Sequence, residues 1–511
     1  MNEIYITDAC ALFADKLTPD EKIVKGSKFY FGKLEKDFDQ IQEPNYNLRC
    51  NRLLKFLVDK LDLSEYEKSE IGIVIGTTNS GIEEYETTEK KHHAELGNPA
   101  EFLKWYLGTT NYAASVSTAC TSGIKAFATA IRLLENNVCK AVIAGGVDTL
   151  ASMPTYGFHA LEVLSHEKTN PFSKNRNGIS LGEGGALFLL TKKSDGIKIL
   201  GIGETSDAYH SATPDPEGTQ ASIAIQKALD EAKLSPDDID YINLHGTGTI
   251  SNDLMEANAI YKIFQDKVPT SSTKPITGHC LGAAASIETF ICYEILKGKR
   301  KLPIHNFDGE YDDKLPKINL VNENTEHGEI NTCMCTSFGF GGTNAVIILG
   351  KENKKNKDVK YNLSNILPHE KPMILIDDIL QIDMKNQFAK ASVTINEDKV
   401  FFDKEINGIS PLVGIEFMAQ TIGCYAYFKA GETIPKIGFL LGTRLYENSL
   451  EKFENGKTYT ITAKEIYGDN ELVSFECLIY NDDKEVAKAV INAFQPADAE
   501  KFITETGTSG N

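Results

Sequence analysis

Two short apolar runs, Ile71–Thr78 and Lys140–Asp148, bracket a helical pattern that begins just after a cysteine, and this trio constrains the fold more than any other stretch. Ile71-Gly72-Ile73-Val74-Ile75-Gly76 shows no apolar–polar alternation, so it reads as a strand buried on both faces. The segment from Ile124 to Leu134 repeats apolar residues at helical spacing. Strand, helix and strand in this order require a parallel pair with a crossover, which places the chain in the α/β class. The helix is preceded by Ser117-Thr118-Ala119-Cys120-Thr121-Ser122-Gly123. A cysteine at a helix start meets unpaired N–H groups and the positive end of the helix dipole, both of which favour its thiolate. Its small neighbours let a carbonyl reach the sulfur and the adjacent amides together. Cys120 is therefore the candidate nucleophile.

From Ile197 the alternation begins again. Lys198–Gly203 reads as a strand, Ser222–Lys233 as a helix, and Ile239–Leu244 as a strand that delivers His245 at its carboxyl end. The helix after Gly282 holds the place that the Cys120 helix holds in the first half. Three further loops rich in glycine, serine and threonine stand out: Asn243–Thr249, Ser272–His279 and Ser337–Asn344. The last joins strand Thr332–Cys335 to strand Ala345–Leu349; phosphate-binding glycine loops usually open a helix, so a nucleotide site is not expected here. Asp253 and Glu256 fit a capping box that starts the next helix.

One cysteine and two histidines in such loops, in this order, resemble the β-ketoacyl-acyl carrier protein synthases over about the first two thirds of the chain. The resemblance implies a thiolase-like five-layer fold of two similar halves, with the site where they meet. It implies that Cys120 takes an acyl group from a phosphopantetheine thioester, while neutral His245 and His279 donate N–H groups to the enolate left when a malonyl-type extender loses CO2. Lys274 would pair with Glu183, held in the turn Gly182–Gly185, and tune the charge of the site. Thr247 and Thr249 would hold the amides of the pantetheine arm, Phe338 would line the substrate site, and Phe340 would gate the nucleophile. Ser173 departs from the family, which carries aspartate there. Two alternatives stay open. A thiolase shares the fold but needs a second cysteine as acid/base, and a non-catalytic chain-length subunit lacks the nucleophile.

At 511 residues the chain is too long for one core. The charged, aperiodic stretch from Lys351 marks a linker, which divides the chain into 1–350, a linker 351–361, a second domain 362–498 and a tail 499–511 expected to be disordered. The second domain offers one apolar helix, Ile415–Tyr425, and three strands at 458–467, 471–480 and 485–494, the pattern of an α+β hotdog. Its Leu-Pro-His (367–369), Gly-Ile-Glu-x-Met-Ala-Gln (414–420) and Gly-Phe-Leu-Leu-Gly-Thr-Arg (438–444) motifs resemble dehydratase-like hotdog proteins of aryl polyene biosynthesis. The first domain resembles the synthases of the same pathway. Dehydration needs a base and an acid, and Glu416 matches the family carboxylate. The usual histidine is missing from 400–409, and His369 is the only one in the domain. The reading is a split site whose histidine comes from a second hotdog dehydratase, with His369 as the alternative acid/base.

A net charge of −19 argues against nucleic acid or an anionic membrane as partner. An acidic acyl carrier protein would then need local basic groups, for which Lys174, Arg176, Lys297, Lys299, Arg300 and Lys301 are candidates. No signal peptide or spanning segment is legible, so a cytoplasmic enzyme with reduced thiols is expected. It would form a homodimer or heterodimer through the ketosynthase domain. His92 and His93 read as a solvated pair, and neither a metal nor a bound cofactor is expected beyond the carrier's phosphopantetheine.

Overall fold

The two runs that the sequence marks as buried strands, Ile71–Gly76 and Ala141–Asp148, lie side by side and parallel in a ten-stranded sheet. The computed structural model describes residues 3–24, 27–351, 363–384, 387–430, 438–468, 472–482, 484–494 and 496. The linker from 352 on, part of the turn at 468–470 and the tail lie outside the described residues. The chain divides into two units, 1–354 and 355–511.

In the first unit the strands of the large sheet are β1 (Tyr5–Phe13), β2 (Ile71–Gly76), β3 (Ala113–Val116), β4 (Ala141–Asp148) and β5 (Gly184–Thr191), then β6 (Ile197–Ser206), β7 (Tyr241–Asn243), β8 (Thr270–Ser271), β9 (Thr332–Gly339) and β10 (Thr343–Lys351). Their order is β8-β7-β9-β10-β6-β1-β5-β4-β2-β3. Read outward from the centre, the halves are β1-β5-β4-β2-β3 and β6-β10-β9-β7-β8. In each half the two inner pairings are antiparallel and the two outer ones parallel. The duplication, which the amino-acid identity between halves is too low to prove, is plain in the topology. The halves join where Tyr5 and Ile6 pair with Lys198 and Ile197.

The helices of this unit's layers are α1 (Arg49–Val58), α2 (Asn98–Leu107), α3 (Ser122–Glu135), α4 (Thr219–Ala232), α5 (Ile250–Phe264) and α6 (Ala284–Leu296). α3 and α6 occupy matching places in the two halves, each leading into the parallel strand β4 or β9. They share one core with both halves of the sheet, in which Ile124, Phe127 and Ile131 meet Ile287 and Ile291. α1 and α2 cover the outer face of the first half and α4 and α5 that of the second, each over its own core. The result is five layers. α6 is buried on nearly every side, as its all-round apolar sequence requires. Gly123 is needed where α3 meets it, because a Cβ there would lie 2.4 Å from Ser286 Oγ and 2.7 Å from its amide nitrogen.

The second unit is an antiparallel sheet with one long helix, α7 (Gly414–Lys429). Its strands are β11 (Asp378–Asp383), β12 (Phe388–Thr394), β13 (Phe439–Asn448), β14 (Thr458–Gly468), β15 (Leu472–Asn481) and β16 (Lys484–Phe494), in the order β11-β12-β14-β15-β16-β13. Phe417, Met418 and Tyr425 of α7 pack against Ile461, Phe475 and Cys477 of the sheet. This is a hotdog.

Candidate active site

Cys120, the candidate nucleophile, sits at a strained turn. Ala119 adopts a left-handed backbone (φ 53°), and Thr121, one residue after Cys120, is the N-cap residue of α3. The turn places Sγ 3.0 Å from His279 Nε2. The amides of Phe340 and of Cys120 itself point at the sulfur, where they can hold the oxygen of an acyl or tetrahedral group. Burial pushes the thiol up to about 11 against the pull of Lys274 and the two amides. The resting sulfur is therefore protonated, and desolvation outweighs the helix start that was expected to favour the thiolate.

His245 follows β7, and its Nδ1 faces Lys274 Nζ at 3.3 Å. The ammonium can only donate, so Nδ1 accepts and Nε2 carries the proton. His279 reaches the same state by another route, because the Leu281 amide donates to its Nδ1 at 3.2 Å. Burial first, and Lys274 next, hold both imidazoles well below the ordinary histidine range. Two neutral rings, 5.3 Å apart and perpendicular, thus offer N–H donors beside Cys120. The ligating atoms of the three residues lie within 4.8 Å of one another, a set that suits a soft divalent ion, although Lys274 opposes a further cation.

The expected Lys274–Glu183 pair does not form. Lys274 bonds Glu288 of α6 and the His245 carbonyl, while Glu183 accepts from Arg49 and from the Leu34 amide at 2.9 Å. Glu183 therefore fastens the N-terminal segment, and Glu288 is the buried acid that pairs with Lys274. Nor do Asp253 and Glu256 form a capping box. Thr249 caps α5 by accepting from the Asn252 amide. Glu256 instead clamps the His245 loop through the amides of His245 (2.8 Å) and Gly246 (2.7 Å), and Asp253 takes the amides of Phe172 and Gly248. One further carboxylate went unnoticed in the sequence. Asp148, at the end of β4, binds Thr77, Thr78 and Asn79 after β2 and the Gly282 amide just before α6.

Thr247, Thr249, Phe338 and Phe340 all line the cavity that leads to Cys120. Its free volume is about 30 Å3, too small for an acyl chain. The Phe340 ring packs on Phe158 with centroids 5.6 Å apart, and Phe338 stands edge-on to His245. Ser173, which departs from the family's aspartate, donates to Asp308 at 3.0 Å.

In the second unit His369 Nε2 lies 3.6 Å from Glu416 Oε1, at one end of a cavity of about 430 Å3. Gln420 holds the arrangement. Its amide nitrogen donates to Glu416 (2.9 Å) and to the Met373 carbonyl, and its oxygen accepts from the Leu375 amide. The Leu-Pro-His segment is thereby pinned to α7, and Glu416 has a histidine of its own unit beside it. His369 Nδ1 is buried with no partner among the described residues.

Other expectations also change. His93 is buried, its Nδ1 2.9 Å from Thr88 Oγ1 and its ring against His92, so the two are not a solvated pair. Arg176 is buried and bonds Asp312 at 2.6 Å, which removes it from any docking surface. Lys174 is paired with Glu310 and Arg300 with Glu294. No helix among the described residues is long and apolar enough to cross a membrane.

A five-layer duplicated fold with a buried Cys-His-His centre defines an acyltransferase of the thiolase-like condensing class. The comparisons give the narrower assignment. The N-terminal and C-terminal domains of β-ketoacyl synthase match residues 56–196 and 197–308, and the ApeP dehydratase family matches 361–504. A 3-oxoacyl-[acyl-carrier-protein] synthase 2 of Coxiella burnetii is 33% identical over 327 residues, covering 57% of this chain and 78% of that protein. Its counterpart in Staphylococcus aureus is 30% identical over 328 residues, with the same shares of each chain. The ketosynthase ApeO, solved in complex with its chain length factor ApeC from Xenorhabdus doucetiae, superposes with a TM-score of 0.66 at 34% identity, covering 68% of this chain and 98% of that one. The chain belongs to the β-ketoacyl-acyl carrier protein synthase family and carries a fused ApeP-like dehydratase domain.

Proposed function

We propose that this protein extends a carrier-bound acyl chain and later dehydrates it, in aryl polyene biosynthesis. The observation that carries the condensation reading is the 3.0 Å contact between Cys120 Sγ and His279 Nε2, beside a second neutral imidazole. Cys120 attacks the incoming thioester, the Phe340 and Cys120 amides hold the oxyanion, and pantetheine leaves as the thiol. Malonyl-carrier protein then enters, and Thr247 and Thr249 bind its pantetheine amides. Loss of CO2 leaves an enolate whose oxygen accepts from His245 and His279. The enolate carbon attacks the acyl-Cys120 carbonyl, releasing the 3-oxoacyl product and the sulfur. Supplying malonyl-carrier protein or acyl-CoA alone tests this: condensation only with the malonyl extender excludes a thiolase, and condensation with acyl-CoA alone overturns the reading.

The His369–Glu416 pair supports a second step, syn or anti loss of water from a 3-hydroxyacyl thioester, with one group taking the α-proton and the other protonating the hydroxyl. The 3-oxo product of the first site is not a substrate for the second, so a carbonyl reductase must act between them. The small volume at Cys120 supports a working state in which Phe340 swings away from Phe158 and a second subunit, a copy or a sister chain, completes the acyl channel. A cytoplasmic location fits such soluble carrier-dependent chemistry.

A further inference from the structure

α7 turns Glu416, Ala419, Gly423, Ala426 and Lys429 towards the hotdog cavity. Steps of three and four residues place them in one row, about 20 Å long at the helical rise per residue. The facing wall is apolar, with Val473, Phe475 and Ile491. The middle of the row is made of small residues. At Gly423 a Cβ would come within 3.0 Å of Leu367 Cδ2, so any side chain there narrows the passage. A cavity of about 430 Å3 suits a small ligand, for which sites span about 300–1,000 Å3.

The far end is different in kind. β14 points Tyr459, Ile461 and Ala463 into the core, and Glu465 continues the same inward series at 6% exposure. A carboxylate at a core-facing strand position is costly unless paired. Lys429 Nζ lies 2.8 Å from both of its oxygens. The Tyr425 hydroxyl bonds the same carboxylate; burial first, and Glu465 next, hold that phenol well above its ordinary range. The ladder with β15 slips between Glu465 and Tyr467, the kind of bulge that re-aims side chains beside sites. Lys429 keeps a half-exposed side chain with donors to spare.

We infer that Lys429 and Glu465 form the distal end of the acyl pocket and recognise a hydroxyl carried at the far end of the substrate chain, on an alkyl or an aryl carbon. This rests on the dehydratase reading of His369 and Glu416 at the near end. A hydroxyl donates to Glu465 and accepts from Lys429, whereas a methyl terminus would desolvate both and satisfy neither. No apolar chain end gains from meeting an ion pair.

The test uses the full-length protein and non-reacting acyl-pantetheine amides of three kinds. Two are long enough to span the row from Glu416 to Lys429, one ending in a hydroxyl and one in a methyl; the third is short and stops before Ala426. By calorimetry the long hydroxyl-ended ligand should bind about tenfold or more tightly than the methyl-ended one. The double variant Lys429→Met with Glu465→Gln, which strands no charge, should bring that ratio to within about twofold after normalising to the short ligand. Ala426→Leu, which keeps the pair but narrows the pocket, should weaken both long ligands against the short one. An unchanged hydroxyl preference in the double variant overturns the inference, as does an equal loss on all three ligands, which would mean a pantetheine contact or a purely structural pair. Dehydration of 3-hydroxyacyl thioesters with the same two ends is measured in parallel. If the binding preference holds while no water is lost from any of them, the dehydratase reading fails and the distal site stands.

Discussion

The two active sites of this chain stand at opposite ends of a scale of burial. Cys120, His245 and His279 are between 1% and 8% exposed, whereas the His369 and Glu416 side chains are each about a third exposed. In the first site desolvation is the largest influence on the protonation states: it holds a thiol and two imidazoles neutral, so that the two rings offer donors rather than charges. The second site is built differently. There the arrangement rests on a hydrogen-bond frame, with Gln420 holding both Glu416 and the segment that follows His369. A sealed site sets its chemistry by exclusion of water and a half-open one by orientation.

The largest test of this division is Cys120→Ala. Condensation, followed by mass spectrometry of carrier-bound products, should fall by about 10^3-fold or more, with dehydration and folding retained. Loss of both activities would show that the two sites are not independent. Next, Glu416→Gln or His369→Asn should lower dehydration by about 10^2-fold or more while condensation continues at its normal rate. Full dehydration by His369→Asn would return the base to a partner subunit. A smaller effect, near tenfold in kcat, is expected for Lys274→Met, and here the pH profile is the sharper readout. Lys274 lowers both imidazoles, so its removal raises them; protonation then sets in at higher pH, and the acid limb of the condensation profile should move upward. The dehydration profile should stay where it was. Last, alkylation of Cys120 by iodoacetamide should be slow at neutral pH and rise about tenfold per pH unit towards 10, as a thiol held near 11 requires.

The sequence was most readable where chemistry and backbone needs coincide. Cys120, His245 and His279 each stand in a loop of small residues, and the alternation of apolar runs around them gives the layers. It misled where a charged side chain hides in a regular element. Glu288 lies inside the apolar stretch of α6, and the clue was that a helix buried on nearly every side leaves an acid at this position no route to water. Glu183 looked like the better partner because its glycine turn drew attention, yet Arg49, 134 residues away, claims it. Asp253 and Glu256 carried cap-like spacing, but Thr249 is the nearer cap and the two acids reach back to the catalytic loop. For the hotdog, the pairing of His369 with Glu416 depends on how Gln420 folds the Leu-Pro-His segment over α7, a tertiary contact that no periodicity records.

Asp148 gives the molecule a clock. Its partners Thr77, Thr78 and Asn79 lie behind it in the chain, but the Gly282 amide lies 134 residues ahead. During synthesis at about 5–20 residues per second, the first half must wait roughly 7–27 s before that last donor exists. Until then this fully buried carboxylate has only the donors of Thr77, Thr78 and Asn79 and lacks the amide that completes its set. His279 arrives only three residues before Gly282. The contact between Cys120 and His279 therefore becomes possible at almost the same point of synthesis as the bond that completes the Asp148 cluster.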